Sequence, residues 1–405
     1  MAKILISSIG TGQLYNGEYK KTKYSLNKQK QCETSFVAYA LHQFYKFDKI
    51  YLVGTNKSIW DEAYRVFTDN PTDDIWENLY EKKEAGTIKI KDLQILHSAQ
   101  APVYAKIIDY GLDDSEIWNN FEKYLQIANE FDDNDEIYLD ITHSFRSLAL
   151  FSYVMTQFAQ TISEKNIKIK AIFYGMLEYS YNNNGITPIV NLQLLVEIQE
   201  WIKAIDAIKR YSDFDLLNTL LENQTDSDAK IENTFKDLNN TIRMANMASM
   251  QRFIATASKK LRTIENSQNK IIKLIAPEIQ KIIDELDHEK LSDFQFALAK
   301  WFYKNKNYAM SYLALFEAII TKSIELKEPE KNVFDEEVRN KIKGRIDYPY
   351  NQMFLENRGK KLENLNSISS IRHSIAHQLT TRNDTVTQDI ERLEKFLEEF
   401  ENYFN

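Results

Sequence analysis

The hydrophobic period of this chain changes once, near residue 190, and that change commits it to a two-part architecture. Ahead of it, short apolar runs alternate with helix-length amphipathic stretches; beyond it, the pattern repeats only at three- and four-residue steps. The short runs at 2–9, 49–53, 93–97, 136–139 and 167–174 read as strands. Between them lie a helix containing Trp60 and Tyr64 and helices over 114–131 and 147–162. Strand and helix in alternation predict an α/β, Rossmann-like, doubly wound parallel sheet. The polar, tyrosine-bearing segment 15–31 reads as a hairpin or flap ahead of a helix starting near Glu33. Residues 175–190 read as a terminal hairpin turning at 182–185.

After Asn191 the strand signal stops. Stretches 192–211, 228–275, 277–287, 291–304, 308–327 and 386–404 carry helical periodicity, with Pro277 placed to begin a helix. The expected organisation is therefore an α/β domain over 1–192 and an all-α region over 193–405. Residues 328–358 are polar, contain Gly344 and Pro349, and read as an irregular insertion. There is no internal repeat.

At 405 residues, with 43% hydrophobic side chains and only 10 Gly and 6 Pro, the chain describes compact, helix-rich domains. Cys32 is its single cysteine, which excludes a disulfide framework or cysteine zinc site and suits a reducing cytoplasm. The start runs directly into Lys3-Ile4-Leu5-Ile6, without a signal-peptide pattern. The richest apolar stretch, 148–159, is interrupted by Ser152, Thr156 and Gln157, so no membrane span is expected. A net charge of −8 argues against broad nucleic-acid binding, yet 331–382 holds ten Lys/Arg against six Asp/Glu. That local excess suits a groove for an anion.

Three polar loops each follow a strand and precede a helix: Ser8-Ile9-Gly10-Thr11-Gly12, Gly54-Thr55-Asn56-Lys57-Ser58 and Asp140-Ile141-Thr142-His143-Ser144-Phe145-Arg146. In open parallel sheets ligands bind at the carboxyl ends of strands. Ser8, Gly10, Thr11, Gly12, Thr55, Asn56, Thr142, His143, Ser144 and Arg146 are thus the candidate ligand residues, a set of donors with one fixed cation that suits phosphates and purine edges. The first loop is not the dinucleotide fingerprint, since Tyr15 stands where the third glycine belongs. Read singly, Thr55 and Ser144 are ordinary helix caps.

The second chemistry-bearing stretch is Ile371-Arg372-His373-Ser374-Ile375-Ala376-His377-Gln378. Its apolar flanks Leu362, Leu365, Ile368, Ile371, Ile375 and Leu379 recur at helical steps. Histidine exchanges a proton near neutrality and arginine stays charged, which equips the stretch for proton transfer at a phosphodiester. His373 and His377 also share a helix face, but Ser374 stands where the zinc-peptidase motif needs Glu, so no metal site is assigned.

The Asp140–Arg146 segment resembles the D-x-T-H-G-x-R segment of CRISPR-associated Rossmann-fold (CARF) sensor domains, with Ser144 in place of the glycine. The loops at Ser8 and Thr55 resemble that family's other two. Arg372 and His377 resemble the R-x(4–6)-H signature of HEPN ribonucleases, and CARF followed by HEPN is the order of the type III CRISPR ancillary ribonucleases. The resemblance implies a cyclic oligoadenylate as allosteric activator, the tetra-adenylate ahead of the hexa-adenylate, and no cofactor. It also implies metal-independent cleavage of single-stranded RNA by a homodimer, with higher oligomers open, in antiviral defence. On this reading His377 is the general acid/base or positions the ribose 2′-OH. Arg372 holds the scissile phosphate, and His373 either tunes the site or only hydrogen-bonds locally. The products would carry a 2′,3′-cyclic phosphate. Slow cleavage of the activator by the sensor is compatible with this. The rivals are a non-catalytic regulator binding RNA or a protein, and a metal-dependent nuclease or nucleotide hydrolase.

Overall fold

The computed structural model describes the chain except residues 13, 98–101, 144–145, 163–164, 183, 224–228, 265–269, 347–364, 378–385 and 405. It forms two compact units, Met1–Glu197 and Ile198–Asn405. The first contains β1 (Lys3–Ser8), β2 (Leu14–Tyr15), β3 (Glu18–Tyr19), β4 (Thr22–Leu26), β5 (Lys30–Thr34), α1 (Val37–Tyr45), β6 (Lys49–Gly54), α2 (Trp60–Phe67) and α3 (Asp73–Ala85). It continues with β7 (Val103–Ile107), α4 (Asp114–Asn129), β8 (Glu136–Asp140), α5 (Arg146–Ile162), β9 (Lys168–Gly175), β10 (Ile186–Asn191) and the start of α6 (Gln193–Tyr211).

One eight-stranded sheet runs in the order β5-β4-β10-β9-β8-β1-β6-β7. Its β9-β8-β1-β6-β7 portion is parallel throughout, as the alternation of strand and helix predicts. The pleat sends alternate side chains to opposite faces. Leu5, Ile50 and Leu52 join a core with Leu41 and Trp60. Ile4, Ile6, Tyr51 and Val53 join a second core with Tyr124 and Met155. Burial on both faces is why these strands are apolar without alternation.

The structure corrects the sequence reading in several places. Residues 93–97 are not a strand: a 3₁₀ helix spans Ile90–Leu96, burying Leu93 and Leu96, three residues apart. The third parallel strand is β7, whose edge position leaves it only partly buried and hides it from an apolar-run search. The segment read as a hairpin or flap does hold a hairpin, β4–β5, but that hairpin joins the main sheet and β5 runs on to Thr34, so the helix begins at Val37 instead of near Glu33.

The second unit holds α7 (Asp215–Glu222), α8 (Ala229–Arg243), α9 (Met247–Ile264), α10 (Lys270–Asp284), α11 (Leu291–Lys304), α12 (Tyr308–Lys327), α13 (Glu336–Ile346), α14 (Leu365–His377) and α15 (Val386–Phe404). Pro277 lies inside α10 and does not start a helix. It removes one intrahelical donor, and burial of Ile272, Ala276, Ile279 and Ile283 outweighs that loss. Within the stretch read as irregular, α13 forms because Asp335 Oδ1 caps it through the Glu337 and Val338 amides at 2.9 and 3.2 Å. Val338 and Ile342, four residues apart, then reach the core. Helix α12 is the centre of this unit, buried along most of its length from Ser311 to Ile324. Ile368 and Ile371 of α14 join the same core.

Candidate functional site

Strand order places a topological switch at β1. The chain passes from β1 to β6 and β7 on one side, then returns through α4 to β8 on the other. The loops leaving β1 and β8 therefore diverge at one sheet edge and open a crevice between them. They approach closely there. A Cβ on Gly10 would sit 3.1 Å from the His143 carbonyl oxygen. Gly12 has φ +37°, and its Cβ would meet Ile59 Cγ2 at 2.7 Å. At Gly10 the backbones of the two loops come together without an intervening side chain.

Asp140 anchors the β8 loop. It accepts Ser7 Oγ at 2.5 Å, the Thr142 amide at 3.0 Å and Thr142 Oγ1 at 2.6 Å. Thr142 Oγ1 in turn accepts the Gly175 amide at 2.8 Å, which ties β1, β8 and β9 together. Burial pushes the Asp140 carboxyl up, against these hydrogen bonds. Burial also pulls His143 below the usual histidine range, against the attraction of Asp140. Its Nε2 lies 3.4 Å from Tyr24 OH.

A cavity of about 270 Å³ opens at this edge, lined by Gly10, Gly12, Ile59 and His143 and by Tyr19, Lys20, Thr22, Tyr24, Ser35, Leu177, Ser180 and Tyr181. Lys20 Nζ lies 4.5 Å from the centroid of the exposed Tyr181 ring, so the lining holds a cation and an aromatic face together. Behind Tyr19 and Ser35 is a buried charged cluster. Tyr19 OH donates to Asp61 Oδ2 at 2.7 Å and accepts from Lys83 Nζ at 2.7 Å, while Ser35 Oγ donates to Glu62 Oε1. Burial pushes both carboxyls up from their ordinary values.

The sequence-derived ligand residues divide. Gly10, Gly12 and His143 line the cavity; Thr11 is exposed beside them. Ser8, Thr55, Asn56 and Thr142 do not line it. Ser8 is buried, Thr142 holds the loop, and Asn56 Nδ2 donates to the Gly86 carbonyl at 2.8 Å. The Thr55 carbonyl accepts Trp60 Nε1 at 2.7 Å, and its amide donates to Ser58 Oγ at 2.9 Å. Ser144 lies outside the described residues, as does the side chain of Arg146 at the start of α5. Sequence reasoning missed Tyr19, Tyr24 and Ser35. The clustering of tyrosines in an otherwise polar segment was the one available signal.

On α14, Ile368 and Ile371 turn into the core while His373 is exposed. The Arg372 guanidinium carbon lies 5.5 Å from the Phe316 ring centroid on α12. Its Nε is buried and meets no hydrogen-bond acceptor among the described residues. His377 closes α14, with its side chain outside the description, and Leu362 and Leu379 lie outside the described residues. At 3.6 residues per turn, position 377 stands about 140° around the helix from position 372. No group of three His, Cys, Asp or Glu side chains is arranged to hold a metal among the described residues.

Comparison with known proteins now adds to this geometry. Residues 4–178 match the family described as CRISPR system endoribonuclease Csx1, CARF domain. Residues 197–292 match CRISPR-associated protein MJ1674, second domain, a match that ends ahead of α14. The chain is 34% identical over 353 residues to CRISPR-associated protein MJ1674 of Methanocaldococcus jannaschii, covering 80% of this chain and 54% of that protein. It thus spans about half the length of the curated relative it matches. Among solved structures, Enterococcus italicus Csm6 bound to cyclic hexa-2′-fluoro-hexa-dAMP is similar at a TM-score of 0.43 and 14% identity, over 100% of this chain and 94% of that one.

Proposed function

This chain belongs to the CRISPR-associated proteins that carry a CARF domain, and from that premise we propose that it is a metal-independent endoribonuclease of type III antiviral defence, acting on single-stranded RNA and switched on by a cyclic oligoadenylate. The observation that carries this reading is the cavity at the β1/β8 switch point, bounded by Gly10, Gly12 and His143 within the matched domain. Its glycine edge admits a nucleotide backbone, and Lys20 beside the Tyr181 ring offers a charge for phosphate and a face for a base. The tetra-adenylate is the activator we favour, with the hexa-adenylate as the alternative ring.

Cleavage is assigned to α14. Arg372 would hold the scissile phosphate and offset the charge of the pentavalent transition state. His377 would take the 2′-OH proton, or position that hydroxyl, so that the ribose oxygen attacks phosphorus. The 5′-oxygen of the next nucleotide leaves, taking up a proton to become a 5′-hydroxyl, and a 2′,3′-cyclic phosphate remains. Positions 372 and 377 do not share one stripe of a helix, which favours a composite site built from two copies of α14 in a homodimer. Exposed Leu150, Val154, Phe158 and Ile162, at four-residue steps along α5, provide an apolar face for that association.

The test is cleavage of a fluorescent RNA in EDTA, with cyclic tetra- and hexa-adenylate added separately and the product ends analysed. Ligand-dependent cleavage leaving cyclic phosphate ends is expected. Cleavage that stops in EDTA would replace this reading by a metal-dependent nuclease. A second reading, a non-catalytic sensor, draws on the match that stops at residue 292; it predicts ligand binding with intact RNA at every ligand concentration. Loss of intact activator over the same time course would add ligand cleavage to the sensor's activities.

A further inference from the structure

Ser35, one residue past β5, lines the cavity together with Tyr19, Thr22 and Ser180. The protons of these hydroxyls have acceptors inside the protein. Ser35 Oγ donates to Glu62 Oε1, Tyr19 OH to Asp61 Oδ2 at 2.7 Å, and Ser180 Oγ to the Leu177 carbonyl at 2.6 Å. Thr22 Oγ1 has the Gly185 carbonyl at 3.3 Å and Thr187 Oγ1 at 2.7 Å. A hydroxyl has one proton, and once that is committed it offers a ligand only lone pairs. Tyr19 is occupied as an acceptor as well, by Lys83 Nζ at 2.7 Å.

The commitment of Ser35 is enforced from behind. Glu62 is 3% exposed, and its second oxygen, Oε2, has no hydrogen-bond partner among the described residues. Turning the Ser35 proton toward a ligand would take from this buried carboxylate the bond it does have, a change that buried charge resists. Ser35 is therefore a fixed acceptor at the cavity wall.

We infer that Ser35, positioned by Glu62, determines base specificity: it selects a base presenting an exocyclic amine and rejects one presenting a carbonyl at the same place. The inference rests on the adenylate reading of the cavity and deepens it. The adenine amine at C6 donates to Ser35 Oγ. Hypoxanthine is nearly the same shape but carries oxygen at C6, which would set lone pair against lone pair. Sites that pair a buried polar group with one substrate discriminate strongly against the analogue that leaves it unpaired.

The experiment is calorimetric titration of the full chain with cyclic tetra- and hexa-adenylate, and with the inosinate version of whichever ring binds. It compares wild type, Ser35→Ala and Glu62→Gln, each checked for folding by circular dichroism. Wild type is expected to prefer the adenylate ring by about 10²-fold or more. In Ser35→Ala the preference shrinks to about tenfold or less, chiefly through weaker adenylate binding. In Glu62→Gln the amide can donate to Ser35 and free its proton for the cavity, so the preference shrinks through stronger inosinate binding. That second variant decides the matter should Ser35→Ala fail to fold. Equal wild-type affinity for the two bases, or full preference kept in both variants, would overturn the inference while leaving the adenylate reading intact. Wild type that binds neither adenylate ring would remove that reading, and this inference with it.

Discussion

Nδ1 of His42 accepts the Phe47 amide at 3.2 Å, a bond only the neutral imidazole makes. Burial, and then the charge of Lys46, hold its pKa below 6.5. The unfolded chain takes up a proton near 6.5, so it binds more protons than the fold just below that pH, and stability falls as pH falls through the window. The raised carboxyls of Asp61, Glu62 and Asp140 act in the opposite sense, so the readout is a difference. Between pH 7 and 5.5 the urea midpoint of wild type should drop more than that of His42→Gln; an equal or smaller drop contradicts the assignment. The same scale holds the catalytic prediction. His377→Ala and Arg372→Ala should each lower RNA cleavage by roughly 10²–10⁴-fold, with cyclic adenylate affinity unchanged. Near wild-type cleavage by His377→Ala, in a preparation free of contaminating ribonuclease, would remove it from the site. Arg372 and His377 stand out in the sequence because they sit close together in one short motif. The Tyr19–Asp61, Tyr19–Lys83 and Ser35–Glu62 contacts were not, since they join positions 42, 64 and 27 residues apart. Only the fold brings them together.

Long helices whose apolar residues recur at helical steps or fill the core outright were read to the residue, as α11, α12 and α15 illustrate. Elements fixed by tertiary context were not. An apolar run such as 93–97 does not distinguish strand from 3₁₀ helix, and the edge strand β7 owes its identity to pairing with β6. Likewise β4 and β5 join the sheet through β10, far along the chain, which no local pattern announces. Helix α5 was legible as a helix, yet its exposure was not. Leu150, Val154 and Ile162 are 67, 52 and 63% exposed on one stripe, an unusual surface for a water-facing helix. If that stripe is the proposed dimer contact, Val154→Glu should set two charges against each other across the two-fold axis and desolvate both. Size exclusion with light scattering should then show a dimer for wild type and a monomer for Val154→Glu, with the circular dichroism spectrum unchanged. A wild-type monomer that cleaves RNA at full rate would defeat the composite-site argument as well.

For the whole molecule, sensing and cleavage are assigned to different units, so any coupling between them must be a difference in ligand affinity between two arrangements of the protein. The β8 loop is the place where such a difference can begin. It contributes His143 to the cavity, is pinned through Asp140 and Thr142 to β1 and β9, and leads directly into Arg146 at the start of α5. A ligand held against that loop is thus one short step from the helix whose apolar stripe we assign to dimer contact. A two-fold-compatible ring touching the loop in both protomers would favour one packing of the pair, and with it one separation of the two Arg372/His377 sets. His143→Ala and Arg146→Ala remove a cavity contact and a cation without touching α14. Both should shift the activation curve to higher cyclic adenylate concentration while leaving the dimer and the ligand-independent cleavage rate as in wild type. The measurement is initial RNA cleavage rate against activator concentration for the three proteins. Superimposable curves would remove the loop from the sensor, and a wild type unresponsive to any cyclic adenylate would end the gated-nuclease proposal. A shift in the midpoint with an unchanged plateau would place the loop in ligand binding. A lowered plateau at saturating ligand would place it in transmission to α14.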